Sequence, residues 1–177
     1  AFLIKWVSVN HSIPDTLHYL IETPIGLIYH GSDFKFDWTP PLGQPADIGK
    51  IAQTSSKGVL CLLSDCLGSE REGATLSEKV IEETLDREIR SCQGKFIVTT
   101  QSSNISRLKQ AIEVGLRHKR KIVIVGKSMI GNIEVAKKLN IINIPDFDLV
   151  LPEEVAKYPP SQLLLLISLN VHPSQVE

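Results

Sequence analysis

The first part of the chain alternates short apolar segments with turn signals. Apolar and β-branched residues fill the first segment, and Leu17, Tyr19 and Ile21 recur at a period of two in the second, as in half-buried strands. The predicted strands of this part are residues 2–9, 16–23 and 27–30. Prolines punctuate residues 31–47, which predicts a loop because proline lacks a backbone donor, and a short helix follows over residues 47–53.

From residue 58 onward the apolar segments become continuous and alternate with helical spacing. Residues 59–63 are an unbroken apolar run, which predicts a strand buried on both faces. A capping box at Thr75–Glu78, in which the Thr75 hydroxyl accepts from the Glu78 amide, predicts a helix start. The remaining strands are predicted at 96–99 and 121–125, and the remaining helices at 103–118 and 128–139. This alternation predicts a doubly wound parallel α/β sheet, with a domain boundary near residue 57.

Composition narrows the class of protein. The 177 residues are 42% hydrophobic and 22% charged, which excludes a disordered chain. Because 19 basic residues face 20 acidic ones, polyanion binding must be local rather than driven by bulk charge. The longest apolar run, residues 163–167, is far shorter than the ~20 residues of a membrane span. Three cysteines without a CxxC pair suit a reducing compartment, so we expect a cytoplasmic protein with no membrane partner.

Two predicted strand ends present residues of the types that bind metals. His11 follows the first strand and Asp33 follows the third. Imidazole and carboxylate are common donors to Zn²⁺ and Mn²⁺, and strand ends hold such ligands rigidly. The alternative is that both side chains are loop caps or surface groups, since carboxylates in turns often bond the nearby backbone.

Three further stretches of the chain contain candidates for ligand contacts. Asp65 follows the apolar run at 59–63, where ligands bind in open α/β sheets, although it can equally cap the turn. Ser103, Asn104 and Arg107 lie at a predicted helix start, where free amides and hydroxyls can cradle an anion. Ordinary N-capping by Ser103 is the alternative. The basic run 117–121 can touch phosphates, or it can be a solvated helix end.

Taken together, these stretches resemble the β-CASP branch of the metallo-β-lactamase superfamily, and most closely its ribonuclease J group. The motifs that carry the resemblance are, in chain order, HSIPD at 11–15, TPIG at 23–26, DFKFD at 33–37, LSD at 63–65, GATLSE at 73–78, SSNISR at 102–107 and VGKSM at 125–129. The motifs occur in unbroken order, and the resemblance as a whole covers about residues 5–165. The chain therefore resembles an interior fragment of such an enzyme.

The resemblance implies a fold and an activity. Residues 1–57 would be the C-terminal strands of a metallo-β-lactamase αββα domain, and residues 58–177 a doubly wound parallel-sheet β-CASP domain, both incomplete. In the family, two divalent metals, Zn or Mn, activate a water that attacks an RNA phosphodiester. The implied catalytic residues are His11 as a terminal metal ligand, Asp33 as the carboxylate bridging both metals, and Asp65 beside them.

The same resemblance places Ser103, Asn104 and Arg107 on the RNA-facing side of the β-CASP domain. The chain also departs from the family pattern. The motif His-x-His-x-Asp-His is absent from the sequence, and His172 is assigned to the tail. Ser32 replaces the usual glycine before Asp33, and Cys66-Leu67 replaces a hydroxyl pair after Asp65.

Ligand counting then limits what this chain does alone. One His and one Asp cannot hold two metals, because each metal needs about four donors. We expect weak metal binding and poor nuclease activity unless missing segments of the same enzyme or a second chain supply the rest. Bare edge strands also favour a homo-oligomer. Two hypotheses remain: part of a metal-dependent ribonuclease (a hydrolase), or a non-catalytic module that binds RNA or protein. Hydrolysis of a small ester or lactam is also left open, because fold alone does not settle the substrate.

Overall fold

The computed structural model describes residues 1–169, so His172 lies outside it. Two compact units divide the chain between Lys79 and Val80. Residues 58–79 therefore belong to the first unit, although the sequence assigns them to the second domain. A compact unit need not fold independently, so the limits 1–57 and 58–177 stay predictions.

The first unit contains a four-stranded sheet in the order β1-β2-β3-β4. Its strands are β1 (Leu3–Ser8), β2 (Leu17–Thr23), β3 (Gly26–His30) and β4 (Cys61–Leu63). The first three are antiparallel, and β4 pairs with β3 in parallel. The three strands predicted before residue 31 are confirmed. The predicted helix is α1 (Ile48–Ser55), which the Asp47 carboxylate caps by accepting from the Lys50 amide at 2.9 Å.

The two faces of this sheet differ in burial. On one face, Val7, Leu20 and Tyr29 are buried together, with Ile51 of α1 packed against them. The opposite face carries apolar side chains that remain exposed; Trp6, for example, is 57% exposed. The core of the first unit is therefore small and one-sided.

β4 corrects one expectation. The sequence predicts a strand over residues 59–63 that is buried on both faces, but only Cys61–Leu63 form a strand and all three residues are exposed. Leu62, for example, is 64% exposed. Within residues 1–169, β4 pairs with β3 alone, so it is an edge strand. A continuous apolar run indicates burial only where neighbouring elements cover both faces of the strand.

The second unit contains a parallel sheet in the order β5-β8-β6-β7. Its strands are β5 (Phe96–Thr100), β6 (Lys121–Val125), β7 (Leu149–Val150) and β8 (Leu163–Ser168). Its helices are α2 (Glu78–Ser91), of which the first two residues belong to the first unit, α3 (Ile105–Arg117) and α4 (Lys127–Lys138). The alternation predicted from residue 96 to residue 139 is confirmed, and so is the parallel α/β class. β7 and β8 are additions to the prediction.

The helices and the return connection cover different faces of this second sheet. Leu108 and Ile112 of α3 and Met129 of α4 share one buried cluster with Leu164 and Leu166 of β8. On the other face, Val155 packs beside Val123 and Leu163 in a second cluster. Val155 belongs to a 3₁₀ turn over Pro152–Lys157. No helix within residues 1–169 is long and apolar enough to cross a lipid bilayer.

The start of α2 corrects a second expectation. The predicted capping box places Thr75 at the helix cap, but α2 begins at Glu78 and Thr75 is exposed. The Glu78 amide donates to Oδ2 of Asp37 at 2.8 Å, not to the Thr75 hydroxyl. A carboxylate 41 residues away thus takes the role that the local motif predicts, because it carries a full charge to the positive end of the helix.

Candidate active-site edge

The sheet of the first unit brings three predicted residues to one edge. β1 and β3 both pair antiparallel with β2, and β4 runs parallel to β3, so β1, β3 and β4 point in the same direction. His11, Asp33 and Asp65 each follow the carboxyl end of one of these strands by two or three residues. The three candidates therefore share one edge, which we call the active-site edge.

Backbone hydrogen bonds connect the loop of His11 to the loop of Asp33. Asn10 forms an isolated antiparallel bridge with Lys35, whose amide donates to the Asn10 carbonyl at 2.7 Å. The Asn10 side chain adds two bonds, donating to the Gln44 carbonyl at 2.7 Å and accepting from the Ala46 amide at 3.1 Å. His11 directly follows the bridged residue Asn10, and Asp33 lies two residues before Lys35, so the bridge holds the two loops together.

A second backbone bond connects the loop of Asp33 to the loop of Asp65. The Gly31 amide donates to the Leu63 carbonyl at 2.7 Å, which extends the β3–β4 pairing toward both aspartates. A Cβ at position 31 would lie 3.3 Å from that carbonyl oxygen, tighter than most real contacts. Glycine thus permits the close approach of the two chains.

The three side chains differ in what they already bind. His11 is exposed, with Nδ1 3.3 Å from the Ser12 hydroxyl. Asp33 is exposed, and its carboxylate makes no hydrogen bond or ion pair within residues 1–169. Oδ1 of Asp65 accepts from the Leu67 amide at 2.9 Å, so the turn-capping alternative describes this residue. The side chains of His11 and Asp33 remain open to a ligand.

The donors at this edge fit a metal in type but not in number. Imidazole and carboxylate suit Zn²⁺ or Mn²⁺. In the part of the chain that the structure describes, however, no three His, Cys, Asp or Glu side chains are grouped so that they could hold a metal ion. The residues present therefore do not form a complete metal site by themselves.

Sequence reasoning missed a buried charge cluster in the Asp33 loop. Lys35 Nζ donates to the Leu76 carbonyl at 2.6 Å and to Oε1 of Glu78 at 3.0 Å, and it lies 4.0 Å from Oδ2 of Asp37. Oδ1 of Asp37 accepts from the Thr39 amide at 3.0 Å. No local sequence pattern predicts this cluster, because Glu78 lies about forty positions along the chain from Lys35 and Asp37.

The environment of Asp37 keeps it ionised. Burial by itself would raise the pKa of this carboxyl. Hydrogen bonds from the Glu78 amide, the Ser77 hydroxyl and the Thr39 amide, together with the positive charge of Lys35, outweigh burial and lower the pKa below its ordinary value. The cluster thus holds residues 35–39 around a carboxylate whose pKa lies below its ordinary value.

In the second unit, the three predicted RNA-facing residues meet at the start of α3. Asn104 is the N-cap: its Oδ1 accepts from the Arg107 amide at 3.0 Å. The expected alternative cap, Ser103, is instead exposed, and its carbonyl accepts from the Ile105 amide at 2.9 Å. Ser103 is therefore available to a ligand, while the Asn104 side chain is already used by the helix.

The basic run 117–121 has mostly structural partners. Arg117 pairs with Glu82 at 2.7 Å, Nε2 of His118 lies 2.9 Å from Oδ1 of Asp86, and Lys121 pairs with Asp148 at 2.9 Å. Arg120 is buried and donates to backbone carbonyls. Arg117 and Lys119 are exposed, but only Lys119 of the run has no side-chain partner among the described residues, so this run is not a free phosphate-binding patch.

Comparisons with known proteins show which family the chain is similar to. Residues 93–170 match the family described as ribonuclease J, beta-CASP domain. These residues resemble the β-CASP domain of ribonuclease J. The resemblance inferred from the seven motifs is therefore confirmed, and the parallel sheet of the second unit lies within the matched residues.

Full-length relatives extend the similarity beyond the β-CASP domain. The chain is 40% identical to ribonuclease J of Helicobacter pylori over 165 residues, which are 93% of this chain and 24% of that protein. It is 38% identical to ribonuclease J of Synechocystis over 168 residues, 95% of this chain and 26% of that protein. Ribonuclease J2 of Bacillus subtilis is 36% identical over 163 residues, 92% of this chain and 29% of that protein. The chain thus spans about a quarter of the length of these curated relatives.

A solved structure supports the fold across the chain. A protein of unknown function from Enterococcus faecalis aligns with 99% of this chain and 43% of its own, with a TM-score of 0.62 and 16% identity. This similarity concerns fold alone. Together with the family match it confirms an α/β protein that is part of a larger fold.

Proposed function

We propose that this chain is part of a metal-dependent ribonuclease that cleaves RNA phosphodiesters. The observation that carries the proposal is the active-site edge, where three strands end just before His11, Asp33 and Asp65, in a chain similar to proteins named ribonuclease J. His11 and Asp33 would be metal ligands. Asp65 would act beside them, through the carboxylate oxygen that does not cap its turn.

The donor count sets the condition for activity. Zn²⁺ or Mn²⁺ would bind firmly only when further donors join His11 and Asp33, because a divalent metal of this kind takes about four. Those donors would come from missing segments of the same enzyme or from a second chain. The isolated chain would then bind metal weakly and cleave RNA poorly.

The RNA contacts would be local. Ser103 and Arg107 are the candidate phosphate contacts near the start of α3, where amides also point outward, and Asn104 would orient them as the helix cap. With nearly balanced charge over the chain, binding would depend only modestly on salt, since few phosphates would be neutralised.

A chimera tests the proposal. The 165 matched residues of Helicobacter pylori ribonuclease J are replaced by those of this chain, and cleavage of an end-labelled RNA is measured with Mn²⁺ or Zn²⁺. We expect cleavage that Asp33→Ala reduces at least 100-fold. The matched control is Asp146→Asn, which changes a fully exposed carboxylate (102% relative exposure) in the second unit. A stable chimera that cleaves no RNA would contradict the proposal.

The second candidate is a non-catalytic module that binds RNA or protein. What favours it is the shortfall of metal donors among residues 1–169. RNA affinity of the chain that persists after Asp33→Ala and in excess chelator supports this alternative. Affinity that disappears with either treatment supports the ribonuclease proposal.

A further inference from the structure

His18 is a buried titratable group that lies at the active-site edge but has no assigned role. It is the second residue of β2, whose first residues lie at the same edge as the carboxyl ends of β1 and β3. Its side chain is almost fully buried, at 2% relative exposure. Nδ1 lies 2.8 Å from the Tyr29 hydroxyl, while Nε2 is buried without a hydrogen-bond partner among the described residues.

The ring of His18 packs against the segment that carries Asp33. A Cβ on Gly31 would lie 3.5 Å from Cε1 and 3.7 Å from Nε2 of His18, which is van der Waals contact. On the other side of Asp33, the Phe34 ring meets the His18 ring edge to face, with centroids 5.2 Å apart. The imidazole therefore lies against the residues on both sides of the candidate metal ligand.

A hydrogen bond holds the same segment to β2 at the intervening residue. The Ser32 hydroxyl donates to the carbonyl of Leu17, the residue before His18, at 3.0 Å. Asp33 itself has no side-chain partner, so its direction depends on the backbone of its neighbours. Those neighbours rest on residues 17 and 18, and Tyr29 fixes the orientation of the imidazole.

We propose that His18 is a positioning residue for Asp33: its imidazole, held by Tyr29, supports residues 31–34 and so directs the Asp33 carboxylate toward the ligand. The role needs a ring that fits between Gly31 and Phe34 and an acceptor or donor that reaches the Tyr29 hydroxyl. This inference rests on the proposed function for its catalytic meaning, but the support itself is a property of the chain as it stands.

NMR on the 177-residue chain tests the support without any activity. In His18→Ala, we expect amide exchange at Gly31 and Lys35 to accelerate at least tenfold. The backbone order parameters of Asp33 and Phe34 should fall from the ~0.85 of rigid backbone to below about 0.6. His18→Phe, which restores a ring, should bring exchange back to within about threefold of the parent chain. The matched control is His118→Ala, which removes an imidazole from the second unit and should leave these signals unchanged.

A folded His18→Ala chain in which Asp33 and Phe34 stay as ordered as in the parent overturns the proposal. If that variant does not fold, Tyr29→Phe replaces it, since it removes only the hydroxyl that holds Nδ1. Exchange at Gly31 should then accelerate about threefold, and unchanged exchange there overturns the proposal as well.

The chimera described above supplies the catalytic readout. There, His18→Ala should lower kcat about tenfold and leave KM within twofold, because Asp33 is misdirected while RNA contacts elsewhere are kept, and His18→Phe should restore most of the lost kcat. An unchanged kcat overturns the catalytic meaning of the support. A parent chimera without activity contradicts the proposed function alone, and the NMR result still decides whether His18 positions Asp33.

Discussion

The carboxylate of Asp37 is a buried charge of the first unit that accepts several hydrogen bonds. In place of water, its partners are the Glu78 and Thr39 amides and the Ser77 hydroxyl, and the ammonium of Lys35 lies nearby. Hydrogen bonds to a buried charged group contribute more than neutral ones, at about 1.5–3 kcal/mol. These interactions of Asp37 stabilise the conformation of the loop that contains Asp33.

Replacing this charge should weaken the first unit measurably. In Asp37→Asn we expect the free energy of unfolding to fall by about 2 kcal/mol, because two backbone amides lose a charged acceptor. Both tryptophans, Trp6 and Trp38, lie in this unit, so urea unfolding followed by fluorescence reports on it directly. Asp146→Asn, at an exposed carboxylate, should change the value by less than about 0.5 kcal/mol. Equal effects of the two substitutions would contradict this role.

His18 should make the stability of the first unit depend on pH. Burial first, and then the charge of His30, lower the pKa of His18 below its ordinary value of about 6.5. Below pH ~6.5 the unfolded chain binds a proton that the folded chain resists, so unfolding becomes easier as pH falls toward the folded pKa. Tyr29, the other titratable group in contact, has a raised pKa through burial and stays neutral throughout.

The measurement is fluorescence-detected urea unfolding at pH 7.5 and pH 5.5. We expect the parent chain to lose stability between these values and His18→Phe to lose clearly less. Asp37 does not interfere, because its lowered pKa confines its own loss to pH values below about 4. The same slope in both proteins would show that another group titrates.

At the scale of elements, Arg120 joins three segments of the second unit. Its guanidinium donates to the carbonyls of Cys92 at 2.6 Å, Gly94 at 2.8 Å and Leu163 at 3.0 Å, beyond the end of α2 and at the start of β8. The planar guanidinium spreads five N–H donors over a rigid fork, whereas an ammonium has three donors on a single atom and cannot span acceptors this far apart. The arginine of the basic run therefore has a structural use.

Arg120→Lys should consequently be far from conservative. We expect a loss of about 3 kcal/mol in unfolding free energy, because carbonyls and a charge are left buried with too few partners. Urea unfolding followed by far-ultraviolet circular dichroism reports on the helices of this unit. Lys119→Gln, at the exposed neighbour, should change the value by less than about 0.5 kcal/mol. A tolerated Arg120→Lys would show that these bonds contribute little.

The apolar strands give a second contrast between elements. Leu62 of β4 is exposed, so Leu62→Ser should cost less than about 0.5 kcal/mol in this chain. Leu166 of β8 is fully buried, so Leu166→Ala should cost about 2–5 kcal/mol. Both values come from urea unfolding, with fluorescence for the first unit and circular dichroism for the second. A large loss at Leu62 would mean that β4 is covered in solution.

These elements also show what a sequence can and cannot predict. The spacing of apolar residues is enough to predict β1, β2, α3 and α4, because each of these elements carries its own repeating pattern of apolar and polar residues. It fails for β4, whose apolar run is exposed, and it says nothing of β8, whose similar run occupies the middle of a sheet. Burial depends on which distant segment lies alongside, and an apolar run is the same in both cases.

The candidate site divides in the same way. The position of His11, Asp33 and Asp65 at strand ends could be predicted from the sequence, and the sheet topology places them at one edge, while their roles stay a prediction. Asp37 and His18 could not, since their roles depend on contacts with residues that no local pattern links to them. Long-range support is a property of the fold, not of a motif.

For the whole molecule, the two compact units should differ in stability. The first has a buried core of three residues, Val7, Leu20 and Tyr29, with one sheet face left exposed, whereas fifteen buried residues form the main core of the second. Since buried apolar area supplies most of the driving force for folding, the second unit should unfold at higher urea. Tryptophan fluorescence, which follows only the first unit, should then change at lower urea concentration than circular dichroism, to which the longer helices α2, α3 and α4 contribute most.

Hydrogen exchange on the 177-residue chain resolves this difference residue by residue. We expect amides of β6 and β8 to exchange at least 100-fold more slowly than amides of β1 and β2, because local stability follows the core that each strand packs against. Leu166→Ala should narrow the gap by lowering protection in the second unit alone. Protection that is equal in both units, and that Leu166→Ala lowers equally in both, would mean that the chain unfolds as one cooperative body. The weak first core would then draw its stability from the second.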